Sequence, residues 1–315
     1  MSKIIILSGL PASGKSTKAQ EMLLADGHAV RLNKDLIRTM LHFDRFNFEN
    51  EDMTRQAVQT LARLFLGKGK TVIIDDTNLN EKTLQSWKIL AKDVGARIQN
   101  EFMDTSMDEC IRRDRERGKS WVGGSKSVGE HVIVGMALSS GLYPKPERPV
   151  VLCDIDGTLA NIDHRLHYVK APKVLMTGSG PTAIYGDDPE FKKDWSGFFT
   201  HMMSDTPRTD VVDMLLEYED AGHEIFFISA RPDTYRAFTE DWIVRVAFNG
   251  RRIHNGLFMR GANDSREDSM VKKDMYEKYF KNLPILSVID DRPRVIRMWR
   301  ELGLNVTDVG NGIEF

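Results

Sequence analysis

Short apolar runs alternate with helix-type periodicity through the first half of the chain. Strands are predicted at residues 3–7, 29–32, 71–74 and 98–103, and helices at 15–25, 34–42, 52–67, 81–93 and 106–117. Strands that alternate with helices in this way form a parallel sheet covered by helices on both faces. The first half is therefore predicted to be a doubly wound α/β domain over residues 1–143.

The same alternation resumes after a proline-rich stretch at residues 144–149, which is predicted to be a stiff linker because its three prolines cannot continue a helix or a central strand. Beyond it, strands are predicted at 150–153, 224–228, 256–259 and 285–289, and helices at 208–221, 233–247, 267–281 and 293–302. Residues 150–315 are thus expected to form a second α/β domain. Residues 177–190 are rich in glycine, proline and polar residues, and a mobile surface loop is the favoured interpretation there.

Composition narrows the class of protein without choosing a function. A length of 315 residues suits two domains, and 41% hydrophobic with 29% charged residues is typical of a soluble globular protein. A net charge of -2 excludes a uniformly basic nucleic-acid coat but permits a local basic channel. Cys110 and Cys153 each lie inside a predicted element, so no disulfide framework is expected. The apolar run at 4–7 is too short for a signal peptide or a membrane span, and we expect a cytoplasmic enzyme with no membrane partner.

The first candidate site is the phosphate-binding pattern GLPASGKS at residues 9–16, which follows a predicted strand and opens a predicted helix. Glycines allow backbone N–H groups to close around phosphates, and the helix N-terminus adds positive potential. Lys15 is predicted to reach the β- and γ-phosphates of a nucleotide, and the Ser16 hydroxyl to ligate Mg²⁺. Six predicted nucleotide-binding residues lie here, Gly9, Ser13, Gly14, Lys15, Ser16 and Thr17, and Arg113 and Arg117 of a later helix are two more.

Further polar residues follow the next strands of this domain, and each has a structural interpretation beside a functional one. Asp35 at a helix start is a candidate base for a hydroxyl proton, although an aspartate there is more often a cap, and Arg38 lies on the same face one turn later. Asp76 and Thr77 follow the third strand and are candidate substrate contacts, with turn chemistry as the alternative. The arginine-rich helix end that contains Arg113 and Arg117, with Gly118, Lys119 and residues 123–124 beyond, is either a solvated face or a lid that brings arginines to the transferred phosphate.

The second candidate site is the sequence DIDGT at residues 154–158, directly after the buried strand at 150–153. Residues two apart at a strand end project to the same side, so Asp154 and Asp156 are expected to face one pocket with Mg²⁺. Asp154 is the candidate nucleophile that forms an aspartyl-phosphate. Asp156 is the candidate acid and base as well as a predicted metal ligand, and Thr158 is a predicted substrate contact.

Later strand ends supply the remaining predicted groups of the second site. Ser229 and Arg231 follow one strand, and Asp290 and Asp291, both predicted metal ligands, follow another. Lys272 lies on a helix from which its amine is predicted to neutralise the phosphoryl intermediate. Carboxyl ends of parallel strands meet at one sheet edge, so these groups are expected to converge.

Both halves resemble known families. The phosphate-binding loop, Asn33-Lys34-Asp35-x-x-Arg38, Asp76-Thr77-Asn78 and the Arg113/Arg117 pair resemble the polynucleotide 5′-kinase/3′-phosphatases of T-even bacteriophages, over nearly the whole chain. The resemblance implies that Asp35 is the general base for a 5′-hydroxyl, that Arg38 holds the 3′-phosphate of the acceptor nucleotide, and that Asp76 supports this pair. It also implies that Arg117, with Arg113, stabilises the transferred phosphate.

The second half resembles the haloacid dehalogenase superfamily of phosphatases, matching its four motifs in order. Residues 160–206 lie where that superfamily inserts its cap, and the insertion is longer than the T-even enzyme leads us to expect. Its polar and aromatic side chains are candidates either for substrate contact, through stacking on bases, or for packing of an amphipathic helix. They are His164, Arg165, His167, Tyr168, Trp195, Phe198 and Phe199.

The resemblance implies two α/β domains, a P-loop kinase followed by a haloacid dehalogenase-like phosphatase, that use ATP and Mg²⁺ to heal DNA or RNA strand ends for a ligase. It also implies a homo-oligomer and a role in phage nucleic-acid repair. Two alternatives stay open: a bifunctional kinase and phosphatase of a small nucleoside or sugar phosphate, and a non-catalytic nucleotide-binding scaffold.

Overall fold

A computed structural model describes residues 2–45, 47–117, 127–177, 180–186, 188 and 190–312. The chain forms two compact units, Met1–Tyr143 and Pro144–Phe315. Residues 144–149, predicted as a linker, contain no helix or strand. Within the described ranges, no helix combines the length and the apolar character that crossing a bilayer requires.

The first unit contains one parallel sheet. Its elements are β1 (Lys3–Ser8), α1 (Lys15–Ala25), β2 (Ala29–Leu32), α2 (Lys34–His42), α3 (Phe48–Gly67), β3 (Thr71–Asp75), α4 (Glu81–Asp93), β4 (Arg97–Phe102), α5 (Met107–Arg117) and α6 (Glu130–Ser139). The strands are ordered β2-β3-β1-β4, and every neighbouring pair is parallel. The predicted parallel sheet is therefore confirmed.

Side-chain alternation along β1 explains why helices cover both faces of this sheet. Ile4 and Ile6 pack into a cluster with buried residues of α2, α3 and α4, such as Trp87. Ile5 and Leu7 point the other way, into a cluster with α1. Successive residues of a strand face opposite sides, so an unbroken apolar run marks a strand that is buried on both.

Two helices of the first unit differ from the prediction. The helix α3 begins at Phe48 instead of residue 52, because the Asn47 side chain accepts a 2.8 Å hydrogen bond from the Asn50 N–H and caps the helix there. The helix α6 was not predicted. From residue 132 to residue 138 it is apolar on all sides, and Ile133, Ala137 and their neighbours are buried, so this part lacks the polar face that marks a surface helix.

The second unit is built on a five-stranded parallel sheet. Its elements are β5 (Val150–Cys153), β6 (Ala160–Asn161), β7 (Ala171–Thr177), β8 (Gly180–Gly186), α7 (Trp195–Thr200), β9 (Thr206–Pro207), α8 (Thr209–Asp220), β10 (Ile225–Pro232), α9 (Arg236–Trp242), β11 (Gly256–Arg260), α10 (Asp268–Met275), β12 (Ile285–Asp290), α11 (Pro293–Glu301) and β13 (Val306–Asp308). The strand order is β11-β10-β5-β12-β13.

The central position of β5 fixes where the second site forms. Cys153 pairs with Phe227 on one side and with Ile289 on the other, so the residues that follow all three meet at one edge. Val151 and Phe227 pack on one face with Trp242 of α9 and Val211 of α8. The strand is completely buried, which accounts for its uninterrupted apolar sequence.

Several predictions for the second unit require correction. Residues 171–177 and 180–186 pair as the antiparallel strands β7 and β8, so most of the segment predicted as a loop at 177–190 belongs to a strand pair. The predicted helix 233–247 is divided into a 3-10 turn, α9 and a π-helical turn, and α10 likewise ends in a π-helical turn at Tyr276–Phe280. The short edge strand β13 was not predicted.

Candidate active sites

The phosphate-binding loop joins β1 to α1 at the carboxyl edge of the first sheet. Gly9 and Gly14 adopt φ angles of 145° and 97°. A Cβ on Gly9 would lie 2.8 Å from Ser13 Oγ and 3.0 Å from the Met103 carbonyl oxygen. The lack of room for a Cβ and the positive φ angle therefore both require glycine at this position. Gly14 precedes the helix, and Lys15, Ser16 and Thr17 form its first turn. The structure therefore gathers the six predicted nucleotide-binding residues of this segment in one loop and helix start.

Lys15 is folded onto the loop that carries it. Its amine donates to the carbonyl oxygens of Gly9, at 3.0 Å, and Leu10, at 2.6 Å, and contacts Ser13 Oγ at 3.2 Å. Only 8% of the residue is exposed, and burial lowers the pKa of Lys15 to about 8. The amine thus lies inside the ring of backbone groups that would surround a phosphate.

The predicted arginines of α5 lie beside this loop. A Cβ placed on Gly14 would come within 3.7 Å of Arg113 Nη1, and the Arg113 Nε donates to Glu109 at 2.7 Å. Arg117 is close enough to Lys15 to contribute, after burial, to the lowered pKa of that amine. The rest of the predicted lid, with Gly118, Lys119 and residues 123–124, lies outside the described residues.

The residues after β3 connect the phosphate-binding loop to the start of α2. Asp76 accepts a 2.9 Å hydrogen bond from the Lys34 N–H, the Thr77 carbonyl accepts one of 3.0 Å from the Gly9 N–H, and the Asn78 amide donates to the Leu7 carbonyl at 2.8 Å. Buried Asp75 pairs with Arg31 instead. Asp76 and Thr77 were predicted substrate contacts. In the structure, their hydrogen bonds hold the backbone segments at Lys34 and Gly9 in place around the site.

Asp35 and Arg38 are joined directly, as their spacing on α2 predicts. Arg38 Nη1 donates to Asp35 Oδ1 at 2.6 Å, while Asp35 itself is 77% exposed. Glu51 of α3, which the sequence did not single out, also holds Arg38, and it lies 3.2 Å from the Lys34 amine. Hydrogen bonds that Arg38 donates to Glu51 outweigh burial and raise the pKa of Arg38. Glu51 therefore fixes the guanidinium while the Asp35 carboxylate faces solvent.

Replacing Asp76 with asparagine is expected to increase stability above pH 6. Burial raises the pKa of Asp76 to about 6, so the native state disfavours the charge that asparagine lacks, while the amide oxygen can still accept from the Lys34 N–H. An acid whose pKa is higher in the folded state loses stability as the pH rises from about 4, its unfolded value, through its folded value. We therefore expect a gain of about 2 kcal/mol in unfolding free energy at pH 7.5 that disappears near pH 4.

Urea unfolding at both pH values measures this difference. The matched control is Asp26→Asn, because a hydrogen bond from the His28 N–H lowers the pKa of that fully exposed carboxylate. The control should show no gain at pH 7.5. A gain for Asp76→Asn that is equal at both pH values would contradict the assignment of the effect to the buried charge.

In the second unit, Lys272 joins two of the predicted acidic residues. Its amine lies 2.8 Å from Asp154 Oδ1 and 2.8 Å from Asp290 Oδ2, and all three side chains are buried. Burial opposes the charge on Lys272, but Asp154 and Asp290 outweigh it and raise the pKa of the amine. Asp290 also accepts from the indole N–H of Trp299 at 3.2 Å.

Three buried carboxylates form a candidate metal site. Ligand atoms of Asp154, Asp290 and Asp291 lie within 4.8 Å of one another. Burial, with the Asp290 charge adding and Lys272 opposing, raises the pKa of Asp154 to about 6, and burial also raises that of Asp291. Three acids facing one lysine leave uncompensated negative charge, and hard divalent cations prefer oxygen ligands of this kind. The residues therefore fit Mg²⁺.

Thr158 and Gly157 shape this acidic group. Thr158 Oγ1 donates to Asp291 Oδ1 at 2.8 Å, and a Cβ on Gly157 would come within 2.2 Å of Asp291 Oδ2. Gly157 has a φ angle of 86° as well, so the turn can hold no other residue without displacing Asp291. Thr158, a predicted substrate contact, therefore acts on the metal group through Asp291.

Asp156, a predicted metal ligand, is not part of this carboxylate group. Arg231 donates to both of its oxygens, at 2.8 and 2.7 Å, and Arg165 donates to Oδ1 at 2.5 Å. Burial would raise the pKa of Asp156, but Arg231 and Arg165 outweigh it and hold the pKa well below its ordinary range. Both oxygens are therefore committed to arginines instead of to the metal group.

Asp205 completes the arginine cluster and was missed in the sequence. It accepts from Arg165 Nε at 2.7 Å and Nη2 at 2.6 Å, and from Arg231 Nη2 at 3.2 Å. Two buried arginines thus face two buried carboxylates. Ser229, at the same end of β10, is completely buried, and its hydroxyl accepts from the Arg231 N–H at 3.2 Å.

The side chains proposed for the cap segment divide into buried ones and ones that solvent can reach. Arg165, Phe198 and Phe199 are buried, which confirms the packing interpretation for these two phenylalanines. Trp195 is 42% exposed. His164, His167 and His201 are exposed, and Tyr168 is half-buried.

Comparison with known proteins agrees with the division of the chain into two units. Residues 4–137 match the family model of the AAA domain, and residues 196–314 match that of the polynucleotide kinase PNKP phosphatase domain. The chain therefore combines a P-loop kinase-like domain with a haloacid dehalogenase-like phosphatase domain, in the predicted order. The match of residues 196–314 to the phosphatase domain of polynucleotide kinases agrees with what the resemblance implied. Its matched region begins after Asp154 and Asp156, whose place in the site follows from the strand pairing of β5.

Two curated relatives extend the comparison. A putative bifunctional polynucleotide kinase/RNA ligase of Autographa californica nuclear polyhedrosis virus is 24% identical over 322 aligned residues, which cover 95% of this chain and 41% of the viral protein. A putative nucleotidase of Bacillus cereus is 28% identical over 89 residues, which cover 28% of this chain and 46% of that protein. The chain spans less than half the length of each.

A solved structure matches over almost the whole chain. A chain in the structure of the Pnkp1/Rnl/Hen1 RNA repair complex is 24% identical, with 99% of this chain and 96% of that chain covered and a TM-score of 0.39.

Proposed function

We propose that the protein heals nucleic-acid strand ends, by transferring the γ-phosphate of ATP to a 5′-hydroxyl and by hydrolysing a 3′-phosphate. The observation that carries the proposal is the presence of a complete set of groups in each unit. One unit contains Lys15 in a phosphate-binding loop and the exposed candidate base Asp35 at the start of α2, and in the other Lys272 joins two carboxylates of a three-carboxylate group.

In the kinase reaction, Asp35 accepts the proton of the 5′-hydroxyl while the hydroxyl oxygen attacks the γ-phosphorus of ATP, and the bond from that phosphorus to the β–γ bridging oxygen breaks to release ADP. Arg38, held by Glu51 and Asp35, binds an acceptor phosphate. Lys15 and Arg113 neutralise the phosphates, with Arg117 beside them, and Ser16 would hold Mg²⁺, which compensates phosphate charge. The exposed position of Asp35 suits an acceptor that is the end of a polymer.

In the phosphatase reaction, Lys272 engages one oxygen of Asp154 and thereby orients the other toward phosphorus. The Asp154–phosphorus bond forms as the bond to the 3′-oxygen breaks, giving an aspartyl-phosphate that water then hydrolyses. Asp154, Asp290 and Asp291 would hold Mg²⁺, which supplies charge compensation for the phosphate.

Asp156 takes part in both steps of the phosphatase reaction. Ionised by its two arginines, it is prepared to accept a proton from the water that attacks the intermediate. To protonate the leaving 3′-oxygen in the first step, its pKa must rise, and an anionic phosphate bound alongside acts in that direction.

The viral relative supports the proposed substrate class, because it is described as a putative bifunctional polynucleotide kinase/RNA ligase and its alignment covers 95% of this chain. The same relative is described as an RNA ligase, and a ligase requires the 5′-phosphate and 3′-hydroxyl that these two reactions produce. We therefore propose cooperation with a nucleic-acid ligase and DNA or RNA ends as substrates. A homo-oligomer and a cytoplasmic location complete the proposal.

One substrate tests both halves of the proposal. An oligonucleotide with a 5′-hydroxyl and a 3′-phosphate is incubated with the protein, Mg²⁺ and γ-labelled ATP, as DNA and as RNA. We expect label at the 5′ end and loss of the 3′-phosphate. If neither end changes while ATP and p-nitrophenyl phosphate are consumed, the substrate is a small molecule, in line with the similarity of part of the chain to a putative nucleotidase.

A further inference from the structure

An exposed aromatic surface lies in the cap segment of the phosphatase unit. We define the aromatic wall as His167, Tyr168, Trp195 and His201. His167 and Tyr168 have ring centroids 4.1 Å apart, and Tyr168 stacks on His201 at 5.0 Å with an interplanar angle of 21°. Trp195 begins α7, and His201 directly follows that helix.

The wall is held in place by specific contacts. His201 Nδ1 donates to the Gly197 carbonyl at 2.8 Å, which leaves Nε2 to accept from the Tyr168 hydroxyl at 3.3 Å. Gly197 permits this arrangement, because a Cβ there would come within 2.6 Å of the Tyr168 ring. The Tyr168 and His201 rings are therefore preorganised, which lowers the entropy lost when a flat ligand stacks on them.

Core packing does not account for Trp195. Phe198 and Phe199 of the same helix are 1% and 8% exposed and fill the core, whereas Trp195 is 42% exposed while stacked on Phe199 at 6.0 Å. An indole held flat against a buried ring presents its other face outward. Such a surface is suited to stacking by a nucleic-acid base.

The wall is continuous with the catalytic groups. Trp195 packs edge-on against Phe198, whose ring lies 4.0 Å from the Arg165 guanidinium carbon, and Arg165 donates to Asp156. A second path runs from Trp195 through Phe199 to Tyr235, which lies four residues after Arg231. The aromatic surface thus begins within a few contacts of the candidate acid–base residue.

Positive charge accompanies the exposed ring. Lys192 and Lys193 are both exposed, and Lys193 Nζ lies 5.6 Å from the centroid of the Trp195 ring. Aromatic rings interleaved with lysines suit the bases and phosphates of a single strand, since stacking is possible only for bases that are unpaired.

We propose that the aromatic wall and Lys193 bind the unpaired bases next to the 3′-phosphate, so that the phosphatase acts preferentially on single-stranded 3′ ends. This inference rests on the proposed function and adds the substrate form and the residues that select it. Because the wall contacts only the strand and not the reacting phosphate, it should contribute to substrate binding and leave the chemical step unchanged.

The test compares Trp195→Ala and Tyr168→Ala with Trp195→Phe, which keeps a ring, and with Phe48→Ala, which removes a 92% exposed ring from the other unit. Each is assayed on a single-stranded 3′-phosphate oligonucleotide, on the same end within a blunt duplex, and on p-nitrophenyl phosphate. We expect the alanine variants to raise KM for the single strand about tenfold or more, with kcat and p-nitrophenyl phosphate hydrolysis unchanged. Trp195→Phe should recover most of the loss, and Phe48→Ala should match wild type.

The outcomes separate this inference from the proposed function. A wild-type protein that hydrolyses p-nitrophenyl phosphate but no 3′-phosphate oligonucleotide overturns both. If wild type acts on the oligonucleotide and the alanine variants keep its KM, or if the blunt duplex is as good a substrate as the single strand, the aromatic wall is not the binding surface while the end-healing function stands. A parallel loss on p-nitrophenyl phosphate would show that Trp195 supports the fold instead.

Discussion

Substituting asparagine for Asp154 is expected to lower the 3′-phosphatase rate by at least about 10⁴-fold while leaving the 5′-kinase rate unchanged. The amide is nearly the same size as the carboxylate and can still accept a hydrogen bond from Lys272, but it cannot form the bond to phosphorus. Release of phosphate from a 3′-phosphate oligonucleotide and from p-nitrophenyl phosphate measures the loss, and label transfer to a 5′-hydroxyl measures the kinase.

The fold of this variant should be intact. Burial and the Asp290 charge hold the pKa of Asp154 above its ordinary value, so removing the negative charge relieves repulsion within the acidic group. A matched control is Asp220→Asn, because that carboxylate is 71% exposed on α8, away from the acidic group. Loss of kinase activity in a folded Asp154→Asn protein would contradict two independent sites.

The sequence was sufficient to predict where both sites form, because their residues follow strands. Lys15 and Asp76 follow β1 and β3, and Asp154 and Asp290 mark the ends of β5 and β12. Parallel pairing alone brings such residues to a common edge. Lys272, on a helix, was found through the motif order of a known superfamily and not through periodicity.

Other features could not be predicted because their causes are tertiary. Asp205 precedes a helix by a few residues, where an aspartate normally suggests a cap, and only the folded chain brings it to Arg165 and Arg231. Glu51 is one of several acidic residues at the start of α3, and nothing local distinguishes the one that holds Arg38. Similarly, Asp154 contacts a lysine and belongs to the metal group, whereas Asp156 contacts two arginines. This difference depends on partners that only the folded chain brings together.

Substituting methionine for Lys15 is expected to lower the 5′-kinase rate by about 10³-fold or more, with the phosphatase unchanged. Methionine has a similar length and fits the apolar part of the buried site, but it supplies no charge for the β- and γ-phosphates. Lys18→Met, at a lysine of the same helix that is 42% exposed and lies 3.9 Å from Glu21, is the matched control and should match wild type. Label transfer to a 5′-hydroxyl oligonucleotide measures the rate.

The contacts of Lys15 mean that this loss of activity can have two causes, weaker ATP binding and slower phosphate transfer. Its amine already contacts the Gly9 and Leu10 carbonyls, so methionine also removes the hydrogen bonds that close the loop, and ATP binding should weaken together with catalysis. Equilibrium binding of a non-hydrolysable ATP analogue separates the two effects. Retained kinase activity with weakened ATP binding would show that Lys15 organises the loop without stabilising the transferred phosphate. The positive charge that stabilises this phosphate would then have to come from Arg113 and Arg117, which lie beside the loop.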